Sequence, residues 1–553
     1  MVDEIKISSF KQIKSANLSL SSVNVLVGGN NSGKSCILQG IHFGIALAQT
    51  KRIAEVEQFP AERLRYCPTD DFLDLHHGRR LTERSSIKFE YIKEDDSGKN
   101  EAQITLQRGR NGVVKAKSVG GTILNDISDP RGFFSIYVPG LAGITIREEY
   151  RSDAIVSNGI ARGDANLYLR NVLLRIEQDK KKKDKFSLYL NSVFPGVQVS
   201  TAFNETNDLW IRSVVQRDDK EPRALDMVGT GLLQAIQILA YVSNYNPKML
   251  LLDEPDAHLH PSNQRLLSQT LDVISKETDT KIILATHSRH LLDSLSESNA
   301  AKLFWVKSGI ATEQDNWSDI AILMDLGALD KGEKFLNGDY KYLVLTEDSN
   351  TKPLEVLLEA NHIPAAETLI FSYKTSSKFD AAKLMASFAE RVRPGVITVV
   401  HRDRDFMSDD EVSRLLSKYE ISKSKNMKIF ITESSDVESY FIVPDHLSIV
   451  SGKNRNEIID ILESILKNNM VKFLLSFREK REEIKRNLYK KDPENCPEIE
   501  SLVLADRLQL QNALGKKLLA EVCNYFQSNG INGGKIVVPT KALIRDDISK
   551  IFS

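Results

Sequence analysis

The sequence predicts two α/β domains, the second interrupted by a helical insertion, and three observations lead to this prediction. Short apolar runs that end in polar residues alternate with helical patterns, as in a parallel sheet covered on both faces. A second series of such runs begins after Gly338. A chain of 553 residues also exceeds one ordinary hydrophobic core. We expect a first domain at 1–335 with a charged helical segment at about 164–193, a second domain at 338–445 plus 528–553, and a helical insertion at 446–527.

Composition narrows the class of protein. Apolar residues make up 41% and charged residues 27% of the chain, which is typical of packed globular domains. The net charge of −1 excludes a globally basic nucleic-acid binder. The cysteines lack CxxC spacing, which argues against a zinc ribbon and a secreted disulfide scaffold; they are Cys36, Cys67, Cys496 and Cys523. The charged N-terminus and the lack of a long apolar run predict a cytoplasmic protein without a membrane segment.

The first domain is expected to begin with a hairpin, followed by a strand that enters a glycine turn and a helix. Buried parallel strands are expected further along, because short continuous apolar runs end in polar residues there. These elements are the hairpin Ile5–Phe10 and Ala16–Leu20, the strand Val23–Val27, the helix Cys36–Gln49, and the strands Met249–Leu252 and Lys281–Ala285. The lysine run Lys180–Lys183 favours a solvated helix end over a DNA contact.

The second domain shows the same alternation of strand and helix. The expected elements are the strand Tyr342–Leu345, the helix Pro353–Ala360, the strand Thr368–Ser372, the helix Phe379–Arg391 and the strand Val396–Val400. After the helical insertion, Gly533-Gly534 precedes a predicted final strand, Ile536–Val538.

A phosphate-binding loop follows the strand Val23–Val27. Residues 28–35 read GGNNSGKS and fit G-x-x-x-x-G-K-S between a strand and a helix. Backbone N–H groups at such a helix N-terminus bind phosphate, the lysine neutralises charge, and the serine hydroxyl ligates Mg²⁺. We expect ATP to be bound by Gly28, Asn30, Asn31, Ser32, Gly33, Lys34 and Ser35.

A second nucleotide-site element is the apolar strand that ends in Asp253 and Glu254. Asp253 is expected to hold the Mg²⁺ shell. Glu254 is expected to orient and deprotonate the attacking water, because hydrolysis requires an in-line nucleophile.

These segments resemble the ATP-binding cassette (ABC) head of the structural-maintenance, RecF-like and OLD (overcoming lysogenization defect) families. Gly229, Thr230 and Gly231 resemble the signature loop, with threonine at the usual serine position. Asp256–His260 resembles the D-loop, and His287 resembles the switch histidine. The resemblance implies at least a homodimer, since the signature loop of one such head binds ATP held by another.

Carboxylates end two strands of the second domain. Glu347 follows the strand Tyr342–Leu345, and Asp403 and Asp405 follow the strand Val396–Val400. Because the carboxyl ends of parallel strands meet at one sheet edge, we expect these acids to lie close together. Such a group can position Mg²⁺, or Mn²⁺ in its place, against a phosphodiester.

This pattern resembles the Toprim domain that follows the ATPase head in OLD-family nucleases. Glu433 and Glu438 resemble its later acidic segment and would add metal ligands. Lys541 resembles its late catalytic lysine, with Lys535 as the competing candidate. The chain departs from the family pattern at Asp348 and Thr351, where glycine and aspartate are usual.

The resemblance implies an ATP-regulated, divalent-metal-dependent nuclease acting on DNA or another nucleic acid. Its implied setting is defence against phage, with a partner such as a retron or a helicase-like protein. Two alternatives remain open from the residues. One is an ATP-driven regulatory scaffold that does not cut, and the other is a RecF-like clamp that grips DNA without cleavage.

Overall fold

The computed structural model describes residues 1–95, 98–140, 143–218, 220–298, 300–315, 317, 320, 335, 340–372, 382, 385–387, 389–390, 393–418, 427–490, 492–497, 509–531 and 536–552. The chain divides into two compact units, Met1–Asp325 and Leu326–Ser553. Across the described residues, none of the helices has the length and apolarity needed to cross a membrane. The predicted helix Phe379–Arg391 lies partly, and Lys535 entirely, outside the described residues.

The strands of the first unit include the predicted hairpin and the predicted buried strands. In chain order they are β1 (Glu4–Phe10), β2 (Ile13–Ser19), β3 (Val23–Val27), β4 (Gln58–Phe59), β5 (Ile87–Asp95), β6 (Gly98–Arg108), β7 (Val114–Gly120), β8 (Ser135–Val138), β9 (Val197–Ala202), β10 (Arg212–Arg217), β11 (Arg223–Ala224), β12 (Met249–Asp253), β13 (Lys281–Ala285), β14 (Ala301–Lys307) and β15 (Ile310–Gln314).

The helices of the first unit lie between these strands. They are α1 (Lys34–Ala54), α2 (Thr122–Ser128), α3 (Asp153–Ala161), α4 (Leu169–Gln178), α5 (Lys180–Val193), α6 (Thr230–Tyr245), α7 (Pro261–Thr278) and α8 (Arg289–Ser296). Helix α5 begins at the lysine run. Lys182 and Lys185 donate hydrogen bonds to Asn244 and Asn246.

The central sheet of the first unit has the strand order β15-β14-β3-β13-β12-β8. All pairs from β14 to β8 are parallel, and β15 pairs antiparallel at the edge. Every residue of β3 is buried, which explains why the sequence shows a continuous apolar run rather than an alternation. Because β3, β13 and β12 are neighbours, the loops after their carboxyl ends meet at one edge of the sheet.

An antiparallel sheet, ordered β2-β1-β5-β6-β7-β4, packs on helix α1. Phe10, Phe43 and Phe89 contact one another with ring centroids 5.7–5.8 Å apart. A Cβ on Gly44 would lie 2.4 Å from the Tyr91 hydroxyl, so glycine permits this close approach of helix and sheet. This packing holds the helix that carries Lys34 at its first turn.

The second unit repeats the α/β pattern. Its strands are β16 (Tyr342–Thr346), β17 (Thr368–Ser372), β18 (Ile397–Arg402) and β19 (Met427–Ile431). Its helices are α9 (Lys352–Ala360), α10 (Asp409–Lys418), α11 (Pro444–Ser451), α12 (Arg455–Asn468), α13 (Met470–Leu488), α14 (Gly515–Ser528) and α15 (Asp546–Phe552). The strands are parallel in the order β17-β16-β18-β19. The predicted α/β class is confirmed.

The helical block shares one core with this sheet. Leu462 and Phe473 from the block, and Leu518 and Phe526 from α14, belong to the same buried cluster as Val344 of β16. The block therefore packs on the sheet and brings its own polar residues near the ends of the strands.

The predicted strand Ile536–Val538 was wrong. These residues form a turn, in which the Val538 N–H donates to the Ile536 carbonyl over 2.9 Å. Among the described residues, the parallel sheet has β17 and β19 at its edges. The apolar side chain of Ile536 is buried against the helical block instead, so the apolar pattern reflects burial rather than strand pairing.

Candidate functional sites

The loop after β3 has the backbone of a phosphate cradle. Gly33 has a φ of 110°, and a Cβ on Gly28 would lie 2.3 Å from the Val306 carbonyl, so both positions favour glycine. The Ser32 hydroxyl is buried and has no hydrogen-bond partner among the described residues. A buried polar atom without a partner suits a site in which a ligand supplies that partner. Asn30 and Asn31 are exposed at the loop's tip.

Lys34 and Ser35 occupy the first turn of helix α1. The Lys34 ammonium donates hydrogen bonds to the carbonyl oxygens of Gly28 and Gly29, each with a donor–acceptor distance of 2.9 Å. The Ser35 hydroxyl donates to Asp253 Oδ1 over 3.0 Å, which joins the loop after β3 to the end of β12. Oxygens from both sides of the predicted Mg²⁺ position are therefore adjacent.

Asp253 has a further partner that sequence reasoning missed. The Tyr137 hydroxyl, at the end of β8, donates to Asp253 Oδ2 over 3.1 Å. Burial raises the pKa of Asp253, while the hydrogen bonds from Ser35 and Tyr137 favour its charged form. Tyr137 lies in the apolar run SIYV, so only the pairing of β8 with β12 shows that it reaches the carboxylate.

Glu254 and His287 face each other at the same sheet edge. His287 Nε2 lies 3.7 Å from Glu254 Oε1, and the Glu254 side chain is 51% exposed. The backbone of Glu254 is left-handed at φ 48°, and its carbonyl accepts a hydrogen bond from Gln234 of helix α6 over 2.9 Å. A solvent-facing carboxylate beside an imidazole is an arrangement that can orient water.

The predicted signature loop and D-loop contact each other within the first unit. Gly229 and Thr230 are exposed at the start of helix α6, whereas Gly231 is buried. A Cβ on Gly231 would lie 2.6 Å from the His258 carbonyl. A cavity of about 450 Å³ beside the D-loop includes Glu254 and His287 in its lining.

The acids of the second unit meet at the carboxyl edge of its sheet, as the strand ends predict. Glu347 follows β16 and accepts a hydrogen bond from the Asp403 N–H at Oε1 over 2.7 Å. Asp405 has a φ of 50°, and its N–H donates to the Ser435 carbonyl over 2.9 Å. These backbone contacts hold the chain beyond β18 in the sharp bend that presents both aspartates.

Two lysines of the helical block bind these acids, and no sequence motif pointed to either of them. The Lys516 ammonium contacts Asp348 Oδ1 at 2.6 Å and Asp403 Oδ2 at 2.9 Å. The Lys480 ammonium contacts Asp405 Oδ1 at 2.9 Å. Lys480 belongs to a run of charged residues and Lys516 to a lysine pair, both typical of a solvated helix surface, so only the tertiary packing distinguishes them.

Helix α14 approaches the site through Gly515. A Cβ at this position would lie 1.9 Å from Asp436 Oδ1. The Lys516 N–H donates to Asp436 Oδ2 over 2.9 Å, so a buried carboxylate accepts from the first turn of the helix. The helix N-terminus is thereby held at the depth from which the Lys516 side chain reaches Asp403.

Burial dominates the electrostatics of the acids. It raises the pKa of Glu347 to about 7, although the charge of nearby Arg402 acts to lower that pKa. It also raises the pKa of Glu438 to about 7, although Lys516 acts to lower that one. Burial also raises the pKa of Asp403 and of Asp405, while Lys516 and Lys480 respectively favour their charged forms. The cluster therefore needs cations to hold its negative charge.

The remaining predicted residues differ in their placement. Glu438 is 9% exposed, and its Oε2 accepts no hydrogen bond from the described residues. The Glu433 side chain is 65% exposed and lies 3.9 Å from Arg545. Lys541 is exposed and forms no ion pair with another described residue. The competing Lys535 lies outside the described residues.

The donor set fits a divalent cation. Asp348, His401 and Asp403 can each offer a ligand atom, with all of these atoms within 4.8 Å of one another. Asp403 Oδ1 and Glu438 Oε2 are both buried, and neither accepts a hydrogen bond from the described residues. Burial lowers the pKa of His401 to about 4, so its imidazole is neutral at pH 7. Thr351, the second departure from the Toprim pattern, instead donates to Glu355 over 2.7 Å.

Comparison with known proteins addresses both units. Residues 23–293 match the family described as "AAA domain, putative AbiEii toxin, Type IV TA system", so the first unit contains an ATPase domain. The chain is 22% identical over 518 residues to the "Old nuclease" of Escherichia phage P2, covering 83% of this chain and 81% of that protein. The chain fits the OLD family. The resemblance inferred from the motifs is thus confirmed.

Other similarities are more limited. An uncharacterized protein of Methanocaldococcus jannaschii is 28% identical over 143 residues, which is 26% of this chain and 16% of that protein. The Smc head bound to the C-winged helix domain of ScpA overlays with a TM-score of 0.40 at 16% identity, covering 57% of this chain and 96% of that one. The SMC head domain from Thermotoga maritima overlays with a TM-score of 0.33, covering 57% and 98%.

Proposed function

We propose that the chain is an ATP-regulated, divalent-metal-dependent nuclease that cuts DNA or another nucleic acid. The observation that carries the proposal is the group of Glu347, Asp403 and Asp405 at one sheet edge, with Lys516 bound to Asp403. Carboxylates grouped beside an ammonium can serve phosphodiester cleavage, in which negative charge must be bound on both sides of the reacting phosphorus. The similarity to the phage P2 Old nuclease over both units supports it.

The acids would hold Mg²⁺ or Mn²⁺, which supplies an activated water and binds phosphate oxygens. Glu347, Asp403, Asp405 and Glu438 are the proposed ligands. The exposed Glu433 is the weakest candidate of the predicted set. Lys516 would donate to a nonbridging phosphate oxygen as charge develops there. This role was predicted for Lys541, and the contacts of Lys516 favour Lys516.

The first unit would gate the reaction through ATP. Lys34 and the loop Gly28–Ser35 would bind the phosphates, Ser35 and Asp253 the Mg²⁺ shell, and Glu254 with His287 the attacking water. The exposed Gly229 and Thr230 suit a loop that contacts nucleotide held by a second copy, so we propose a homodimer through these heads. A role in phage defence and a partner such as a retron rest on the family resemblance alone.

The test is cleavage of supercoiled plasmid by the purified chain with Mg²⁺ or Mn²⁺, with and without ATP. Asp403→Ala is expected to abolish nicking, whereas Lys34→Ala is expected to change only its response to ATP. The matched control is Glu433→Ala, which removes an exposed acid near the same edge. Cutting that survives in Asp403→Ala would refute the metal nuclease. ATP hydrolysis without cutting, in every condition, would favour a regulatory scaffold, and stable DNA binding without scission a clamp.

A further inference from the structure

A histidine stands among the acids of the second unit. His401 is fully buried in β18, two residues before Asp403, and pairs in register with Thr346 of β16. His401 Nε2 lies 3.8 Å from Asp403 Oδ1, and His401 Nδ1 lies 3.9 Å from Asp348 Oδ2. The imidazole therefore lies between two carboxylates from the ends of neighbouring strands.

We propose that Asp348, His401 and Asp403 bind a divalent first-row transition cation such as Mn²⁺, with the His401 imidazole as a nitrogen ligand. This site deepens the proposed nuclease function, on which its role in cleavage rests. It also assigns a metal-ligand role to Asp348, the residue at the position where the Toprim pattern has glycine.

The spacing of the three groups suits one ion. Transition cations bind nitrogen and oxygen at ~2.0–2.2 Å, so two ligands of one ion lie at most about 4.4 Å apart. The 3.8 Å from His401 Nε2 to Asp403 Oδ1 meets this limit. All three ligand atoms lie within 4.8 Å of one another, which is close to this limit.

A neighbouring hydroxyl orients the imidazole. The Thr346 hydroxyl lies 2.8 Å from His401 Nδ1 and also accepts the Asp348 N–H over 3.2 Å. With its proton on Nδ1, His401 donates to Thr346 and directs the lone pair of Nε2 toward Asp403. Metal-binding histidines are commonly oriented by a hydrogen bond at the second ring nitrogen.

The buried oxygen Asp403 Oδ1 can bind a cation at this position. Asp403 is 4% exposed, and its Oδ1 accepts no hydrogen bond from the described residues. The other oxygen, Oδ2, contacts Lys516, which also reaches Asp348. An ammonium thus bridges the two carboxylates that the ion would bridge. A divalent cation would bind both oxygens more strongly and would release the Lys516 ammonium toward substrate.

The ligand chemistry selects the metal. Mg²⁺ prefers oxygen ligands in near-octahedral geometry, whereas an imidazole nitrogen favours transition cations. A site with two carboxylates and one imidazole should therefore bind Mn²⁺ more tightly than Mg²⁺. The head site, with Ser35 and Asp253, offers oxygen ligands and provides the internal comparison.

The test uses the full, tag-free chain without nucleotide and Mn²⁺ as the probe. Pulsed electron paramagnetic resonance detects nitrogen bound to Mn²⁺, and a titration followed by the free-ion signal gives the affinity. We expect nitrogen coupling in the wild type and in Asp253→Asn, which removes the head ligand. His401→Gln should abolish the coupling, and His401→Gln and Asp348→Asn should each weaken binding at least about tenfold. Mg²⁺ should compete only in excess.

The outcomes separate this inference from the nuclease proposal. Mn²⁺ bound without nitrogen coupling in the wild type, or coupling that survives in His401→Gln, would overturn the site even if plasmid were cut. Nitrogen coupling without cutting would uphold the site and count against the nuclease. Because His401 is fully buried, circular dichroism must verify folding of His401→Gln. If that variant does not fold, Asp348→Asn decides, and undiminished Mn²⁺ affinity in it would refute the site.

Discussion

The Lys516 ammonium lies 2.9 Å from Asp403 Oδ2, although the two residues are 113 positions apart in the chain. The contact joins the start of a helix in the helical block to the end of a strand in the parallel sheet. Burial opposes the charge of Lys516, yet Asp403 and Asp348 raise its pKa, so the ammonium stays charged at neutral pH. The proposed nuclease site therefore includes a residue from the block that the sequence left without a function.

Lys516→Met should reduce plasmid cleavage by about 10²–10³-fold, as the loss of one donor to developing negative charge does in other enzymes. Methionine keeps much of the side chain's length and removes its charge. Nicking rates at saturating Mn²⁺ measure the effect. The matched control is Lys541→Met, which changes an exposed lysine. If Lys541→Met caused the greater loss, the assignment of the catalytic lysine would return to Lys541.

Glu254→Gln should lower ATP hydrolysis by about 10²–10⁴-fold while nucleotide binding remains, because the amide cannot accept a proton from water. The wild-type carboxylate is half exposed and lies 3.7 Å from His287. Phosphate release measures hydrolysis, and a fluorescent ATP analogue measures binding. Light scattering should then show a longer-lived dimer in ATP. Hydrolysis at the wild-type rate would exclude Glu254 as the base.

Stability should depend on pH through Asp256. Burial raises the pKa of Asp256 from 3.8 to about 6, while the Thr286 hydroxyl bond favours the charged form. The raised pKa means that the folded state holds the proton more tightly than the unfolded state. Protonated Asp256 therefore contributes at most about 3 kcal/mol to the free energy of unfolding. This contribution is present below about pH 4 and is lost as the pH rises through 6.

Asp256→Asn keeps the acceptor for Thr286 and removes this titration. Between about pH 4 and pH 7, the wild type should lose stability relative to Asp256→Asn. Urea midpoints of the first unit at several pH values measure the difference. Glu297→Gln, an exposed acid of the same unit, serves as the control and should leave the pH dependence unchanged. Parallel pH profiles for wild type and Asp256→Asn would contradict the prediction.

The second unit should depend on a buried ion pair. Arg481 of α13 donates to both oxygens of Glu411 in α10, over 2.6 and 2.9 Å, and both side chains are nearly fully buried. Arg481→Met should destabilise this unit by about 3–5 kcal/mol, because the Glu411 charge loses its partner. Chemical unfolding monitored in the second unit measures the loss.

A double variant tests the cause of that loss. Arg481→Met combined with Glu411→Gln removes both charges and should recover part of the stability, since no buried charge is then left without a countercharge. Because Lys480 precedes Arg481 and binds Asp405, cleavage should fall with the single variant as well. Equal destabilisation by the single and double variants would show that packing, rather than charge, explains the effect.

Much of the first unit followed from the sequence because its signals are local. The GGNNSGKS loop needs only a strand before it and a helix after it, and both are present at β3 and α1. Likewise, a continuous apolar run predicted the strand that ends in Asp253. Tyr137 carried no such signal, because its contact with Asp253 depends on which strands are neighbours.

The sequence by itself determined the α/β class, the nucleotide loop and the acids Glu347, Asp403 and Asp405, since each depends on residue order within a few positions. Only the tertiary structure decided that Lys516 and Lys480 face those acids and that His401 lies between Asp348 and Asp403. Helix packing against the sheet sets the lysine contacts, and pairing of β16 with β18 sets the position of His401. Both depend on shape and burial between segments far apart in the chain, so they leave no local sequence pattern.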